Sequence, residues 1–571
     1  MITSDNGTSL FDGNYVSNDG GATKKYEAVY MNGADLNLSA VNKGIITFND
    51  GIDGVNYDVN VKGDGTGAVI LNNVVDHVNN FNLSSGSITH LGLNGVINAQ
   101  NMTAETGSTL VGKQSTSASP IITVDVEVDK AANKVNSGAI NVAEDVSGDY
   151  RVLVNALNPD VLDNKDDAIV PFLFAPNDKE DTASSFSVAR VIGSPYMWDG
   201  AVNAKGEAEG STWYLNLTDI LNSDYKPEDP ENQDTPNDKP EDPENQDTPD
   251  VKPSKPVIRP IAPEVVAGMG LHEAAIEQTR SLVRNVRNKV ADGRVYCPGC
   301  GLYDYNWNGN KLRNVWVLAQ GETATLDKPV KADADIWGVE AGFDVQNDIH
   351  NTLGVFASYR KGEYDLSGKG SKVRSTSGSE IDIDSYLAGL YYRYDKNMNW
   401  LFATVYGGVQ QADAKTDDKI AKFDTDGIEF GASVEAGHTF ALSNALTLDP
   451  SLGVYYTQVN FDDAKDNVGK EYDWKDIKHL EAELGAKLEK QIDYAKIYVK
   501  PSVIQTITSG DSVKITGLNK LSTYDDATLG RIELGGRYGF SDALSAYGWV
   551  NYTFGSDYDA TAFGAGLNYA W

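Results

Sequence analysis

The last ten residues, Ala562-Phe563-Gly564-Ala565-Gly566-Leu567-Asn568-Tyr569-Ala570-Trp571, decide how this chain reads. In an extended strand Phe563, Ala565, Leu567, Tyr569 and Trp571 share one face, and Ala562, Gly564, Gly566, Asn568 and Ala570 share the other. An apolar, aromatic face opposite a small or polar one suits a strand that separates hydrocarbon from an aqueous lumen.

The same alternation recurs upstream. Apolar faces are Trp337, Val339, Ala341, Phe343 and Val345; Tyr386, Ala388, Leu390, Tyr392 and Tyr394; Ile428, Phe430, Ala432, Val434 and Ala436; and Ile532, Leu534, Gly536, Tyr538 and Phe540. Their opposite faces, with that of the segment between, hold Glu340, Asp344, Glu429, Glu435, Glu481, Glu483, Arg531, Glu533 and Arg537. An outward Arg or Lys near the bilayer midplane costs about 2–4 kcal/mol, and acids less, so this second face is predicted to be wet. About twelve such strands fit between 312 and 571, over 312–322, 334–346, 351–365, 380–394, 399–411, 425–441, 446–461, 476–491, 495–508, 526–540, 544–555 and 560–571. Long polar loops (323–333, 366–379, 412–424, 462–475, 509–525) alternate with tight turns at 347–348, 395–397, 443–444, 493–494 and 541–542. That regularity predicts a twelve-stranded antiparallel transmembrane β-barrel, whose even strand count returns both ends to one side of the membrane. Pro450 and Pro501 fit poorly because proline cannot donate to a ladder; both are predicted near strand ends.

Composition agrees without deciding. No run reaches the roughly 20 apolar residues of a spanning helix, and mean hydropathy is negative, which a barrel tolerates because only alternate residues meet lipid. A formal charge of -34 argues against a nucleic-acid partner. Tyrosine (29) outnumbers cysteine (2) and methionine (6), as suits an exported β-rich protein. Met1-Ile-Thr-Ser-Asp has neither a basic nor an apolar leader region, so the barrel reading makes a truncated N-terminus the expectation.

Residues 226–250 divide the chain. Lys226-Pro-Glu-Asp-Pro-Glu-Asn-Gln-Asp-Thr-Pro-Asn-Asp repeats almost at once from Lys239, and such a run forms no core. The region 223–262 is therefore a solvated linker, able to reach roughly 120 Å at ~3.1 Å per residue. Before it, short apolar bursts between Gly, Asn and Asp over 1–120, such as Ile45-Ile46-Thr47-Phe48 and Ala68-Val69-Ile70-Leu71, predict a right-handed β-solenoid, with a β-sandwich as the alternative. Longer strands over 121–222 predict a cap on the solenoid. After the linker, 265–290 is the one convincing helix of an otherwise all-β chain. Leu271, Ala274, Ala275, Ile276, Leu282, Val283, Val286 and Val290 form a partial apolar stripe, and Arg280, Arg284 and Arg287 lie on another face.

These features together resemble the type V autotransporters: a β-solenoid passenger, a linker, a lumenal helix and a twelve-stranded translocator (263–571) ending on an aromatic. The resemblance implies a monomeric barrel in Gram-negative outer-membrane lipid. It implies delivery by periplasmic chaperones to the barrel-assembly machinery, which would read Phe563, Leu567, Tyr569 and Trp571. It implies a passenger that crosses C-terminal end first and folds at the cell surface. It also suggests that Gly338, Gly342, Gly431, Gly437, Gly485 and Gly535 let the helix approach the wall. Arg280, Arg284 and Arg287 would then pair with Glu340, Glu435, Glu483 or Glu533, or merely snorkel into lumenal water. Some autotransporters cleave at an asparagine in this helix. Asn285 and Asn288 are the nearby candidates but are not an adjacent pair, so the passenger is expected to stay attached.

Other motifs carry little chemistry. Cys297-Pro298-Gly299-Cys300 lacks the βαβ context of a redox pair and the further ligands of a structural zinc site, and is read as a local disulfide between helix and first strand. Gly510-Asp511-Ser512-Val513 resembles an esterase block only superficially, and Gly63-Asp64-Gly65-Thr66-Gly67 is a lone copy that reads as a turn. No catalytic, metal or cofactor site emerges. The leading expectation is a non-enzymatic translocator displaying an adhesin-like passenger toward a host or neighbouring-cell ligand. The alternatives are an anchor and stalk for an enzyme domain missing upstream, and a porin with a periplasmic β-domain.

Overall fold

The computed structural model describes residues 1–12, 15–19, 22–26, 28–105, 108–111, 114–117, 119–129, 134–157, 167–175, 184–193, 198–207, 210–219, 261–291, 313–327, 329–347, 350–367, 375, 378–443, 445–541 and 543–571. They belong to two compact units, Met1–Arg259 and Pro260–Trp571.

In the first unit, short strands stack in parallel. One ladder joins Leu36–Val41, Val59–Gly63, the end of Val74–Leu83 and the end of Val96–Ala104. A second joins Thr8–Phe11, Ile45–Phe48, Ala68–Leu71, Ile88–Leu91 and Ile121–Asp129. A third runs through Ile52–Asp53, the start of Val74–Leu83, the start of Val96–Ala104 and Ala139–Val142. Three strands per coil is a solenoid-like stack, and Leu38, Val61 and Leu83 occupy one position in successive coils, 23 and 22 residues apart. That repeat escaped the sequence reading. The stack is held from within by buried rows: Leu38, Val61 and Leu83; Phe48, Leu71, Leu91 and Val124; Ile52, Val75, Ile97 and Ile140. Each such side chain contributes about 1.5–3 kcal/mol. On the outer face, amides bond from coil to coil: Asn60 donates to Asn37 at 3.3 Å and Asn82 to Asn60 at 2.8 Å. Parallel pairing continues past residue 120, into Val146–Ala156 and Ser184–Ile192. It turns antiparallel where Asp167–Ala175, Trp198–Glu207 and Gly210–Asp219 close the unit. The linker segment 223–260 lies outside the described residues.

The second unit is a closed antiparallel barrel. Its twelve long strands are β1 (Asn314–Leu326), β2 (Ala332–Asn347), β3 (Asn351–Leu366), β4 (Ser379–Lys396), β5 (Asn399–Thr416), β6 (Lys422–His438), β7 (Leu446–Phe461), β8 (Ile477–Ile492), β9 (Ala495–Ser509), β10 (Thr528–Gly539), β11 (Leu544–Phe554) and β12 (Tyr558–Ala570). Each pairs with the next, and β12 returns to β1 from Asn314↔Ala570 to Leu326↔Tyr558. The predicted faces lie as read: Ile428, Phe430, Val434, Phe563, Leu567 and Trp571 are exposed outward, whereas Glu340, Glu429, Glu435, Glu481, Glu483 and Glu533 are buried inside.

Two expectations need correction. The hairpins at 323–333 and 412–424 are short, because β1, β2, β5 and β6 continue several residues further than their apolar faces. Over that extension the outward face turns acidic: Asp335, Glu363, Asp382, Asp413 and Asp424 stand directly opposite one another across β2 to β6. Pro450 and Pro501 are interior to their strands, not near the ends. Each sits where a ladder is interrupted: pairing of β6 with β7 stops at Gly437↔Ser451, and pairing of β8 with β9 skips from Gly485↔Ser502 to Leu488↔Val499. An interruption of this kind is where a sheet tolerates a residue without an N–H.

Truncating Phe81, which is fully buried in the solenoid, should cost about 3–5 kcal/mol. In limited proteolysis of the Phe81→Ala chain in detergent, the first unit should be digested far faster while the barrel fragment persists unchanged.

Candidate functional site: the occupied lumen

The barrel encloses helix α1 (Pro263–Arg280) and helix α2 (Leu282–Ala291), where the sequence predicted one helix over 265–290. Helical geometry breaks at Ser281. Proline at the first turn starts α1 without losing an intrahelical bond. Almost every side chain of α1 is buried, charged and apolar alike, as befits a helix surrounded by a wall on all sides.

The arginines meet carboxylates on the wall. Arg284 donates from Nε to Glu483 at 2.7 Å and from Nη2 to Glu481 at 2.6 Å, with its guanidinium 4.2 Å over the Tyr455 ring. Arg287 lies 3.1 Å from Glu435. Arg280 reaches none of the four glutamates offered by the sequence; it pairs with Glu277 on its own helix at 2.7 Å and with Glu481 at 2.9 Å. Glu340 pairs with Arg360 of β3 at 3.2 Å and accepts from Asn285 at 3.2 Å. Glu533 accepts from Asn288 at 3.0 Å and from the Tyr498 hydroxyl at 2.9 Å. Lys500 bridges Glu435 and Glu483 at 3.2 and 2.9 Å. The lumen face, predicted wet, is thus covered by the helix, and its charges are answered by side chains. Burying an ion pair is tolerable only with such saturation, since loss of one partner leaves an uncompensated charge.

The wall glycines have a different role from the one expected. A Cβ on Gly342, Gly431, Gly437 or Gly535 would collide with Trp316, Tyr406, Trp400 or Tyr498, and one on Gly338 or Gly485 with Arg360 or Lys500. In the four aromatic cases the ring belongs to the residue directly opposite on the neighbouring strand. These glycines seat wall side chains rather than the helix. The approach to the helix is made at Gly362, whose missing Cβ leaves room for the Gln278 amide, and at Gly268 and Gly270 of α1, against Tyr472 and Leu366.

Sequence reading missed Arg360, Lys500, Glu322 and Gln278. The inward parity of β3, through Thr352, Gly354, Phe356, Ser358 and Arg360, was the available signal. It also missed that loops 462–476 and 510–527 fold over α1. They form a small sheet of Ala464–Lys465, Glu471–Trp474, Ser512–Ile515 and Leu518–Ser522. Trp474 donates to the Gly268 carbonyl at 2.8 Å, and His272 contacts Thr523 at 2.7 Å. Cys297 and Cys300 lie outside the described residues. Phe563, Leu567, Tyr569 and Trp571 line the outer face of β12 and its end, all exposed.

Replacing Arg284 with Met should cost about 3–5 kcal/mol, because Glu481 and Glu483 lose a buried partner. The temperature at which the folded barrel loses its fast electrophoretic mobility in SDS should fall accordingly. In loop 462–476, burial pushes the Asp466 carboxyl up to about 6, against the pull of the Lys470 N–H and Tyr472 hydroxyl. The folded loop therefore holds this proton more tightly than the unfolded chain, and its stability falls as pH rises from about 4 through 6. Proteolytic nicking at this loop should slow on acidification across that window, and Asp466→Asn should flatten the dependence.

The sequence model described as the autotransporter beta-domain matches residues 315–553. No curated protein matches the chain. Among solved structures, the chain is similar to the translocator domain of the autotransporter NalP from Neisseria meningitidis, at 14% identity and a TM-score of 0.40, over 52% of this chain and 98% of that one. It is similar to the transport unit of the autotransporter AIDA-I from Escherichia coli, at 17% identity and 0.37, over 48% and 95%. A third likeness is to the beta domain of the Bordetella autotransporter Brka, at 14% and 0.37, over 45% and 99%. With the family match lying on a closed, helix-filled barrel, residues 315–553 of this chain form an autotransporter beta-domain, the outer-membrane translocator for a passenger.

Proposed function

We propose that the chain exports its own residues 1–222 through the barrel and keeps them attached at the cell surface, as a non-enzymatic, adhesin-like solenoid. The observation that carries this reading is the direction of the helix. Pro263 accepts from Ser379 at the start of β4 and Glu264 meets Tyr472 of the long loop, while Asn288 reaches Glu533 deep in the wall. The N-terminal end of α1 therefore lies at the long-loop end, which outer-membrane barrels turn away from the periplasm. A lumen filled by one helix, roughly 10–12 Å across with side chains, admits a passenger only as a largely unfolded chain. Stacking of coils from 219 backward would then oppose return, because each coil closed outside buries further apolar side chains. Asn285 and Asn288 both hold wall carboxylates, which supports a passenger that remains attached. The exposed row ending in Trp571 is the surface offered to the barrel-assembly machinery.

Protease added to intact cells should remove residues 1–222 and spare the barrel; protection of the solenoid would overturn the export reading. Deleting 121–219 should leave an assembled barrel with the remaining passenger shielded from protease. Trp571→Lys should lower the amount of heat-modifiable barrel in the outer membrane.

A further inference from the structure

The arginine ladder attracts the helix but does not by itself fix where it stops. Arg280, Arg284 and Arg287 are spaced by about one helical turn, near 5.4 Å, and Glu481 and Glu483 are separated by roughly 7 Å along β8. Moved one turn outward, Arg284 would stand where Arg280 meets Glu481, and Arg287 would stand close to the present place of Arg284, between Glu481 and Glu483. Moved one turn inward, Arg280 would take the place of Arg284, and Arg284 would approach Glu435. Every such position offers a guanidinium a carboxylate.

The seat of Gln278 is not degenerate in this way. The Gln278 amide lies over Gly362, accepts from the Tyr364 hydroxyl at 2.9 Å and donates to the Ile383 carbonyl at 3.1 Å. The Gln278 carbonyl accepts from Arg360 Nη1 at 2.6 Å, and Arg360 Nη2 reaches Ser281 Oγ at 2.9 Å, at the break between α1 and α2. Arg360, Gln278 and Ser281 are all buried. A four-residue slip would put Ala274 or Leu282 into the place of Gln278, and neither carries an amide. The Tyr364 hydroxyl and the Ile383 carbonyl would then lose their partner in a closed lumen, which is the costly outcome for a buried polar group.

We propose that Gln278, seated on Gly362 between Tyr364 and Arg360, sets the axial position at which the translocating chain comes to rest, and that the arginines hold it there without choosing the turn. Gln278 and Arg360 are thus positioning residues of the translocator. The choice is steric as well as polar, since any side chain at Gly362 would take the space of the amide.

The test reads the position of the helix directly. In a full chain with Cys297 and Cys300 replaced by Ser, His272→Cys and Thr523→Cys mark the native position, because their side chains touch. Ile276→Cys or Met269→Cys, each with Thr523→Cys, mark displacement of about one turn outward or inward. Each pair is bridged with a short bifunctional thiol reagent, and only protein with the folded, heat-modifiable mobility is scored. Gln278→Leu, which leaves the wall intact, and Gly362→Leu, which leaves the helix intact, should each shift the ratio of displaced to native bridging roughly tenfold toward a displaced pair. Arg284→Ala/Arg287→Ala should weaken the barrel against heat without changing which pair bridges. Native bridging that survives both lock substitutions would overturn the proposal, as would displacement caused by the arginine replacements alone.

Discussion

The pairing of β1 with β12 is the constraint from which the rest of the barrel follows. Hydrocarbon offers backbone N–H and C=O groups no alternative partner, so a sheet in a membrane must have no edge. Here thirteen residues of each strand meet, from Asn314↔Ala570 to Leu326↔Tyr558. Closure creates an inside, and an inside of this diameter is too narrow to ignore and too wide for wall side chains alone to fill. The helix is the filling. Because the outer face must be apolar, polarity is confined to the lumen, and the helix that fills it is selected for arginine, asparagine and glutamine as much as for alanine and valine.

This inverts the usual relation between core and surface. The solenoid keeps leucine, valine and isoleucine inside and amides outside; the barrel keeps Leu567 and Ile428 outside and Glu483 and Arg284 inside. Within the barrel, large rings such as Tyr406 and Trp316 are laid flat on glycines of the adjacent strand, so the wall is thick where the helix needs no room and thin where it does. Gly362 belongs to the thin places. The break at Ser281 follows from the same division, since Arg360 takes the Gln278 carbonyl for the wall.

Strand parity made the faces legible residue by residue, because lipid allows no exception near the midplane. Beyond the hydrocarbon that selection ends. Asp333, Asp413 and Asp424 look like loop although they continue β2, β5 and β6, and this is why the hairpins look longer in the sequence than they are. The coil repeat of the solenoid was obscured by additions between Ala104 and Ile121 and between Val126 and Ala139, which spoil the spacing after three turns. Arg360 was readable by parity, but its neighbour Lys361 points the opposite way, and a basic pair in sequence gives no hint that one member is buried. The role of Gln278 depends on an oxygen-sized space across the lumen, and nothing local in Glu277-Gln278-Thr279 records that space.

The rim of the barrel carries a separate lesson. Asp335, Glu363, Asp382, Asp413 and Asp424 form one rung around nearly half the cylinder, each opposite the next across a strand pair. Like charges facing each other across a sheet repel, at separations of about 5 Å. That is shorter than the Debye length of about 8 Å at physiological ionic strength, so bulk screening alone leaves much of the repulsion in place. Lys361, 3.0 Å from Glu363, and Lys415, 3.7 Å from Asp382, offset part of it with the chain's own ammonium groups. What they leave is weakened by dissolved salt, so the grip between these strand ends tightens as ionic strength rises.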